Sequence, residues 1–287
     1  MKKEYIYAGI SILCWSTSAT ITKLLLGSIN SIQLLFVSSI FAFIFLLTIN
    51  IINGNIKETK NYTKKDYIQL FFIGITGTFL YELLLCLGIN SMYASQAFII
   101  NYLWPIMTVI LGCIILKEKM TIKKSIAIIL SFIGVIIVTS NGDLLRIDNK
   151  ILEGAIFCIL AAISYGLFAV LNKLKNYNEL LSMMYFYLFS FLISAIYLTI
   201  THEWFIPNIY QLLGLLWNGI FISAVANTTW IQAIKEDTVK ISNLAYITPF
   251  ISLIWTTLIL KEKISIYAII GLVIIISGIF IQINDKS

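Results

Sequence analysis

Ten times along this chain an apolar run of about 20 residues is closed by a short polar or charged cluster, and a helix of that length crosses a hydrocarbon layer roughly 30 Å thick. The runs fall at 5–26, 31–52, 67–87, 94–116, 122–140, 151–173, 180–200, 210–232, 239–260 and 264–283. Hydrophobic residues make up 59% of the 287 and charged ones 12%, against about 25% charged in a soluble domain, so no single water-soluble core absorbs them. Barrel strands are a poor alternative, because they alternate apolar and polar side chains and these runs are apolar on all faces. The first run follows Met-Lys-Lys-Glu as a signal peptide would, but it is longer than an h-region and nine like it follow, so it is read as a retained span. The fold class expected is an all-α polytopic membrane protein.

Charge sets the orientation. Of the 20 basic residues, Lys23, Arg146, Lys150, Lys261 and Lys263 fall on one side and the other fifteen on the side of the N-terminus. The positive-inside bias then places both termini in the cytoplasm, in a multi-pass protein of the plasma or inner membrane. The net charge of +6 is a loop property: Arg146 is the only arginine, so no arginine-and-aromatic surface for nucleic acid exists. Clusters such as Lys57 to Asp66 and Lys117 to Lys124 are solvated loops facing anionic lipid. Cys14, Cys86, Cys113 and Cys158 lie in separate runs without ligand spacing, and His202 is the only histidine; no metal site and no cofactor is expected.

The chain also repeats itself. "YLWPIMTVILGCIILKEK" from Tyr102 aligns without gaps to "YITPFISLIWTTLILKEK" from Tyr246, a shift of 144, and "CWSTSATITK" from Cys14 aligns with "SYGLFAVLNK" from Ser164, a shift of 150. The longer loop around Asn53 to Asp66 absorbs the difference. Each half, 1–140 and 151–283, therefore holds five spans, and an odd number turns the second copy over, giving two inverted five-helix repeats related by an axis in the membrane plane.

Pro105 and Pro249 occupy equivalent places, each three residues after a tyrosine. Proline has no N–H and blocks a bond to the carbonyl four residues earlier, which predicts free carbonyls at Asn101 and Ala245. Hydrocarbon tolerates such carbonyls only where protein or cavity water pairs with them, so both spans should face an internal cavity, with Trp104, Asn243 and Thr248 nearby. One proline is adequately explained as a packing kink; two at matched sites favour a binding cavity.

The ten spans, the 5+5 duplication, the proline before each Lys-Glu-Lys and the Trp15 segment resemble the EamA branch of the drug/metabolite transporter superfamily over nearly the whole chain. "CWST" at 14–17, "LYELLLCLGI" at 80–89, "NYLWP" at 101–105, "NK" at 172–173 and "YITP" at 246–249 look closest to the YddG-type aromatic amino acid exporters. The resemblance implies a central pocket lined by spans 1, 3, 4, 6, 8 and 9 and export by alternating access. Ile231 and Gln232 follow Trp230 where asparagine and an aromatic residue often stand in that family.

The pocket candidates are Trp15 and Ser16 in span 1, Tyr81 and Glu82 in span 3, and Asn101, Tyr102, Trp104 and Pro105 in span 4. Tyr165 in span 6, Asn227 and Trp230 in span 8, and Tyr246, Thr248 and Pro249 in span 9 complete them. Singly, each aromatic ring reads as packing or an interfacial anchor; beside the prolines they suit a flat apolar side chain, with hydroxyls and freed carbonyls holding a zwitterion. A carboxylate deep in span 3 costs roughly 2.5–3.5 kcal/mol to insert, so Glu82 should face water or a partner. Lys23 reaches a similar depth, and the expectation is a Lys23–Glu82 pair, either a structural ion pair or one that offers Glu82 to a substrate ammonium or a proton. Lys173, the equivalent of Lys23, has no such carboxylate at the position matching Glu82, which is Ala226, and is expected to snorkel to the interface.

The function expected is secondary transport of small metabolites, amino acids with an aromatic preference, in a lipid bilayer, with the oligomeric state left open and a monomer compatible with the sequence. Other amino acids or organic cations are the rival substrates, and a receptor or scaffold is the rival class. An intramembrane enzyme would need a second acid or a histidine at the depth of Glu82, and none is present.

Overall fold

The computed structural model describes residues 3–143, 148–234, 241 and 244–283. Its described residues form helices joined by short loops. Eight helices are long and apolar enough to cross a membrane: α1 Lys3–Leu26, α2 Ser31–Ile52, α3 Lys64–Ser91, α4 Ala94–Ile115, α5 Ile122–Ser140, α6 Asn149–Lys173, α7 Glu179–Thr201 and α8 Ile209–Ala233. Two shorter apolar helices follow, α9 Ala245–Leu260 and α10 Ile266–Ile281. The ten fall on the ten apolar runs. The start of the ninth run, with Asn243, lies outside the described residues.

Local chemistry punctuates the chain where the hydropathy pattern breaks. Asn30 with Gln33, Thr63 with Asp66 and Asn208 with Gln211 form reciprocal caps at the starts of α2, α3 and α8. Asn141 and His202 end α5 and α7 in the left-handed conformation. The two Lys-Glu-Lys triplets end α4 and α9 in one way. Lys117 and Lys261, 144 apart, have φ of 57° and 58°. The following N–H of Glu118 bonds back to Gly112 O at 3.4 Å, and that of Glu262 to Thr256 O at 3.3 Å. The triplet therefore works first as a helix stop.

Packing follows the same correspondence. The pairs α5 with α10, α2 with α7, α3 with α6 and α1 with α8 make extensive contacts. In the first, the backbones nearly touch. A Cβ on Gly134 would lie 2.8 Å from Gly271 O, and one on Gly278 would lie 2.9 Å from Ala127 O. Adding 144 to 134 and 127 gives 278 and 271, so these two contacts exchange under the repeat. Small residues at such crossings let membrane helices gain close packing where lipid supplies no hydrophobic drive.

The prolines act differently from the expectation. Rather than bending a continuous helix, each lies in the first turn of a restarted one: α4 breaks at Tyr102 and Leu103 before Trp104–Ile115, and α9 opens with a 3-10 turn, Ala245–Ile247, before Thr248–Leu260. The first turn is where a missing N–H costs nothing.

Candidate functional site

Between the helices lies an internal cavity of about 160 Å³, walled by residues of α1, α2, α3, α4, α6, α7, α8 and α9. By the measure in which one water needs about 10–15 Å³, it has room for roughly ten waters or one small metabolite. Helices α5 and α10 pack on each other and contribute nothing to the wall.

Two π-helical turns contribute to the wall of this space, Ile75–Leu80 in α3 and Trp217–Val225 in α8. Residues 75–80 plus 144 are 219–224, so the turns match in the repeat. A π turn inserts an extra residue and rotates the side chains that follow it, a feature common at functional sites. Serines of the neighbouring helices satisfy backbone here: Ser164 Oγ donates to Thr76 O at 2.7 Å, and Ser11 Oγ to Ala226 O at 2.8 Å. The first turn leads directly into Tyr81 and Glu82, which face the cavity.

Of the residues singled out from sequence, Trp15, Tyr81, Glu82, Asn101, Tyr102, Trp104, Tyr165, Asn227 and Thr248 line the cavity. Tyr165 is the hinge of an aromatic cluster, with ring centroids 4.9 Å from Tyr81 and 5.1 Å from Trp104. Asn101 Nδ2 donates to Tyr81 Oη at 3.0 Å, while its buried Oδ1 has no partner. Asn227 Nδ2 donates to Ser223 O at 2.6 Å.

Ser16, Pro105, Trp230, Tyr246 and Pro249 do not reach the wall. Ser16 accepts from Trp255 Nε1 at 3.0 Å, Trp230 packs behind Trp15 with centroids 5.2 Å apart, and Tyr246 packs on Phe280 at 5.6 Å. The prolines define the helix restart instead of presenting a surface. The carbonyl expected free at Ala245 accepts from Tyr102 Oη at 3.0 Å, so at α9 the other half of the protein takes up the acceptor.

Sequence reasoning missed Thr22, Tyr187, Asn218 and Ser223, all on the wall. Polar residues inside apolar spans were the available signal, but nothing in the repeat distinguishes them from Ser or Thr residues that bond their own helix.

The expected pair of Lys23 with Glu82 does not form. Lys23 Nζ donates to Ile89 O at 2.5 Å and Met92 O at 2.8 Å, at the end of α3. Glu262, from the second Lys-Glu-Lys, accepts from Ala94 N at 2.7 Å and Ser95 N at 3.0 Å, at the start of α4. A cation on the carbonyl end and a carboxylate on the amide end thus clamp the α3–α4 turn, each complementing a helix dipole. The acidic group whose field reaches Lys23 is Glu262. Lys173, expected to snorkel to the interface, is 68% exposed and bonds Glu118 of the first Lys-Glu-Lys at 3.1 Å. The physical reason that Lys23 misses Glu82 is depth as well as direction: Ile89, whose carbonyl holds Lys23, lies seven residues beyond Glu82, about 10 Å farther along α3, while Glu82 faces the cavity.

Comparison with known proteins agrees with this architecture. The sequence pattern of the EamA-like transporter family matches the chain over residues 2–140 and 152–283. An uncharacterized transporter of Clostridium kluyveri is 28% identical over 295 residues, which cover all of this chain and 94% of its own. The uncharacterized transporter YetK of Bacillus subtilis is 26% identical over 78% of this chain and 70% of its own. A protein crystal structure 17% identical in sequence matches with a TM-score of 0.70 over 97% of this chain and 96% of its own, a likeness of fold.

Proposed function

This chain belongs to the EamA-like transporter family and is a multi-pass membrane transporter, and we propose that it exports amino acids, preferring aromatic side chains, by alternating access to the internal cavity. The observation that carries this reading is the composition of the wall. Aromatic rings of α1, α3, α4, α6 and α7 share the wall of a space of metabolite size with amides and hydroxyls of α1, α4, α8 and α9. Flat rings bind flat apolar groups by stacking and edge contacts, and neutral donors and acceptors hold a polar head.

Alternating access needs two halves that exchange roles. Three pairs of repeat-related positions line the cavity: Trp15 with Tyr165, Asn101 with Ala245, and Trp104 with Thr248. The exchanged contacts of Gly134 and Gly278, the matched left-handed lysines and the two family matches support halves of five spans each, inverted about an axis in the membrane. The lysine bias supports cytoplasmic termini.

Uptake of labelled tryptophan, threonine and a cationic dye into proteoliposomes tests the reading. Protein-dependent tryptophan uptake that exceeds threonine uptake, and that falls when Tyr165 is replaced by alanine, is expected. Equal uptake of tryptophan and threonine, or none of either, contradicts it.

A further inference from the structure

Glu82 carries the only charge among the described residues that line the cavity. Its hydrogen-bond donor is Tyr187 Oη of α7, at a long 3.4 Å. Lys124 and Lys173 pair with Glu118, and Lys23 is committed to the α3–α4 turn. The titratable groups that face Glu82 from the elements around it are Tyr81 and Cys86 of α3, Tyr102 of α4, Tyr165 of α6 and Tyr187 of α7. All are phenols or a thiol and bring no positive charge. From α1, α2, α8 and α9 the wall receives neutral side chains.

A carboxylate in such a place is stable when something neutralises it, and the cavity offers two candidates: a proton, or a cation brought by the occupant. The surrounding rings favour the second when it carries a flat group, since an ammonium is attracted to aromatic faces. Asn101 Oδ1, buried and without a partner, adds an acceptor on the same wall.

We propose that Glu82 binds, in alternation, a proton and the ammonium of the substrate, so that the protein exchanges an aromatic amine for one proton and rejects aromatic acids that lack the amine. This rests on the transporter reading above. On the side where substrate enters, the Glu82 carboxyl releases its proton to water and the carboxylate pairs with the ammonium. On the other side the ammonium leaves intact and the carboxylate takes up a proton from water there. Only the carboxyl O–H bond forms and breaks, and no oxidant, reductant or further co-reactant is involved.

The same exchange reaches the opposite half through Tyr187. Its hydroxyl lies 3.4 Å from Glu82 Oε1 and 3.5 Å from Ser223 O, a carbonyl of the α8 π turn. One hydroxyl hydrogen serves one acceptor at a time. With Glu82 charged it goes to the carboxylate; with Glu82 protonated it goes to Ser223. Tyr187 is therefore a positioning residue that tells α8 the state of α3.

The experiment uses the full chain in proteoliposomes and three labelled probes: tryptophan, N,N,N-trimethyltryptammonium and indole-3-acetate. The quaternary probe carries no proton of its own, so any response to a pH gradient belongs to the protein. Tryptophan and the quaternary amine should accumulate in response to an opposing proton gradient, and indole-3-acetate should not. Glu82→Gln should lower the gradient-dependent component about tenfold or more, the effect of one charge-assisted bond. Glu82→Asp, which keeps the carboxylate, should retain gradient dependence and so separates loss of charge from loss of folding. If Glu82→Gln keeps gradient-driven uptake within about twofold of the wild type, or indole-3-acetate moves as well as the amines, the exchange is refuted while aromatic transport stands. If the wild type moves none of the three, the aromatic-substrate reading falls along with it.

Discussion

Replacing Lys23 by methionine removes the cation that holds the α3–α4 turn while keeping most of the side-chain volume. Two charge-assisted bonds, to Ile89 O at 2.5 Å and Met92 O at 2.8 Å, are lost. Each such bond stabilises by about 1.5–3 kcal/mol, and a buried acceptor left bare adds to the cost. Glu262, 8% exposed, also loses the lysine's field, and breaking one member of a buried charged set costs about 3–5 kcal/mol. Lys23 is only partly buried, which sets the expected loss near the lower end, about 3 kcal/mol. The equivalent change, Lys173→Met, breaks a bond between side chains 68% and 37% exposed, and surface pairs of that kind contribute about 0–1 kcal/mol. Unfolding in detergent micelles, followed by far-UV circular dichroism, compares the two variants. Equal losses would refute the assignment. So would disappearance of the Lys23→Met penalty in a Glu82→Gln background, because that coupling would mean the two side chains pair after all.

Close packing of α5 on α10 predicts that Gly134→Val overpacks the crossing, where even a Cβ would lie 2.6 Å from Ile275 Cγ1, and destabilises by about 1–3 kcal/mol in the same unfolding assay. Tyr102→Phe leaves the buried Ala245 carbonyl without its donor and should cost about 1–3 kcal/mol, whereas Tyr246→Phe, whose ring packs on Phe280 away from the wall, should be near neutral. Tyr187→Phe should displace the pH profile of tryptophan uptake, since Glu82 loses its donor and keeps its carboxylate; a profile superimposable on the wild type would remove Tyr187 from the exchange.

Helix number was legible because it rests on a repeated physical requirement, a hydrocarbon thickness to cross. The prolines marked the right places with the wrong mechanism. Whether a proline kinks or starts a helix depends on the residues just before it, and Tyr102 and Leu103 had already left the helix. Five of the seven aromatic residues on the wall were singled out from sequence, yet Tyr246 matches Tyr102 in sequence and turns to Phe280 instead. The π turns carried no sequence signature, because an inserted residue changes which face a side chain occupies without altering composition. The partner of Lys23 was misread because residue counts from approximate span ends gave the two side chains one depth, whereas Lys23 reaches Ile89, seven residues and about 10 Å beyond Glu82.

The central claim is that the cavity is one site reached in turn from both faces of the membrane. Ser18 lies on its wall in α1 and is partly accessible, so Ser18→Cys, in a chain whose four native cysteines are replaced, reports on it directly. The measurement is the rate of labelling by a membrane-impermeant maleimide, applied to intact cells and to inverted vesicles, with and without saturating tryptophan. Labelling from both sides, slowed by tryptophan on each, is the predicted result; labelling from one side alone, or rates that tryptophan leaves unchanged, would contradict it.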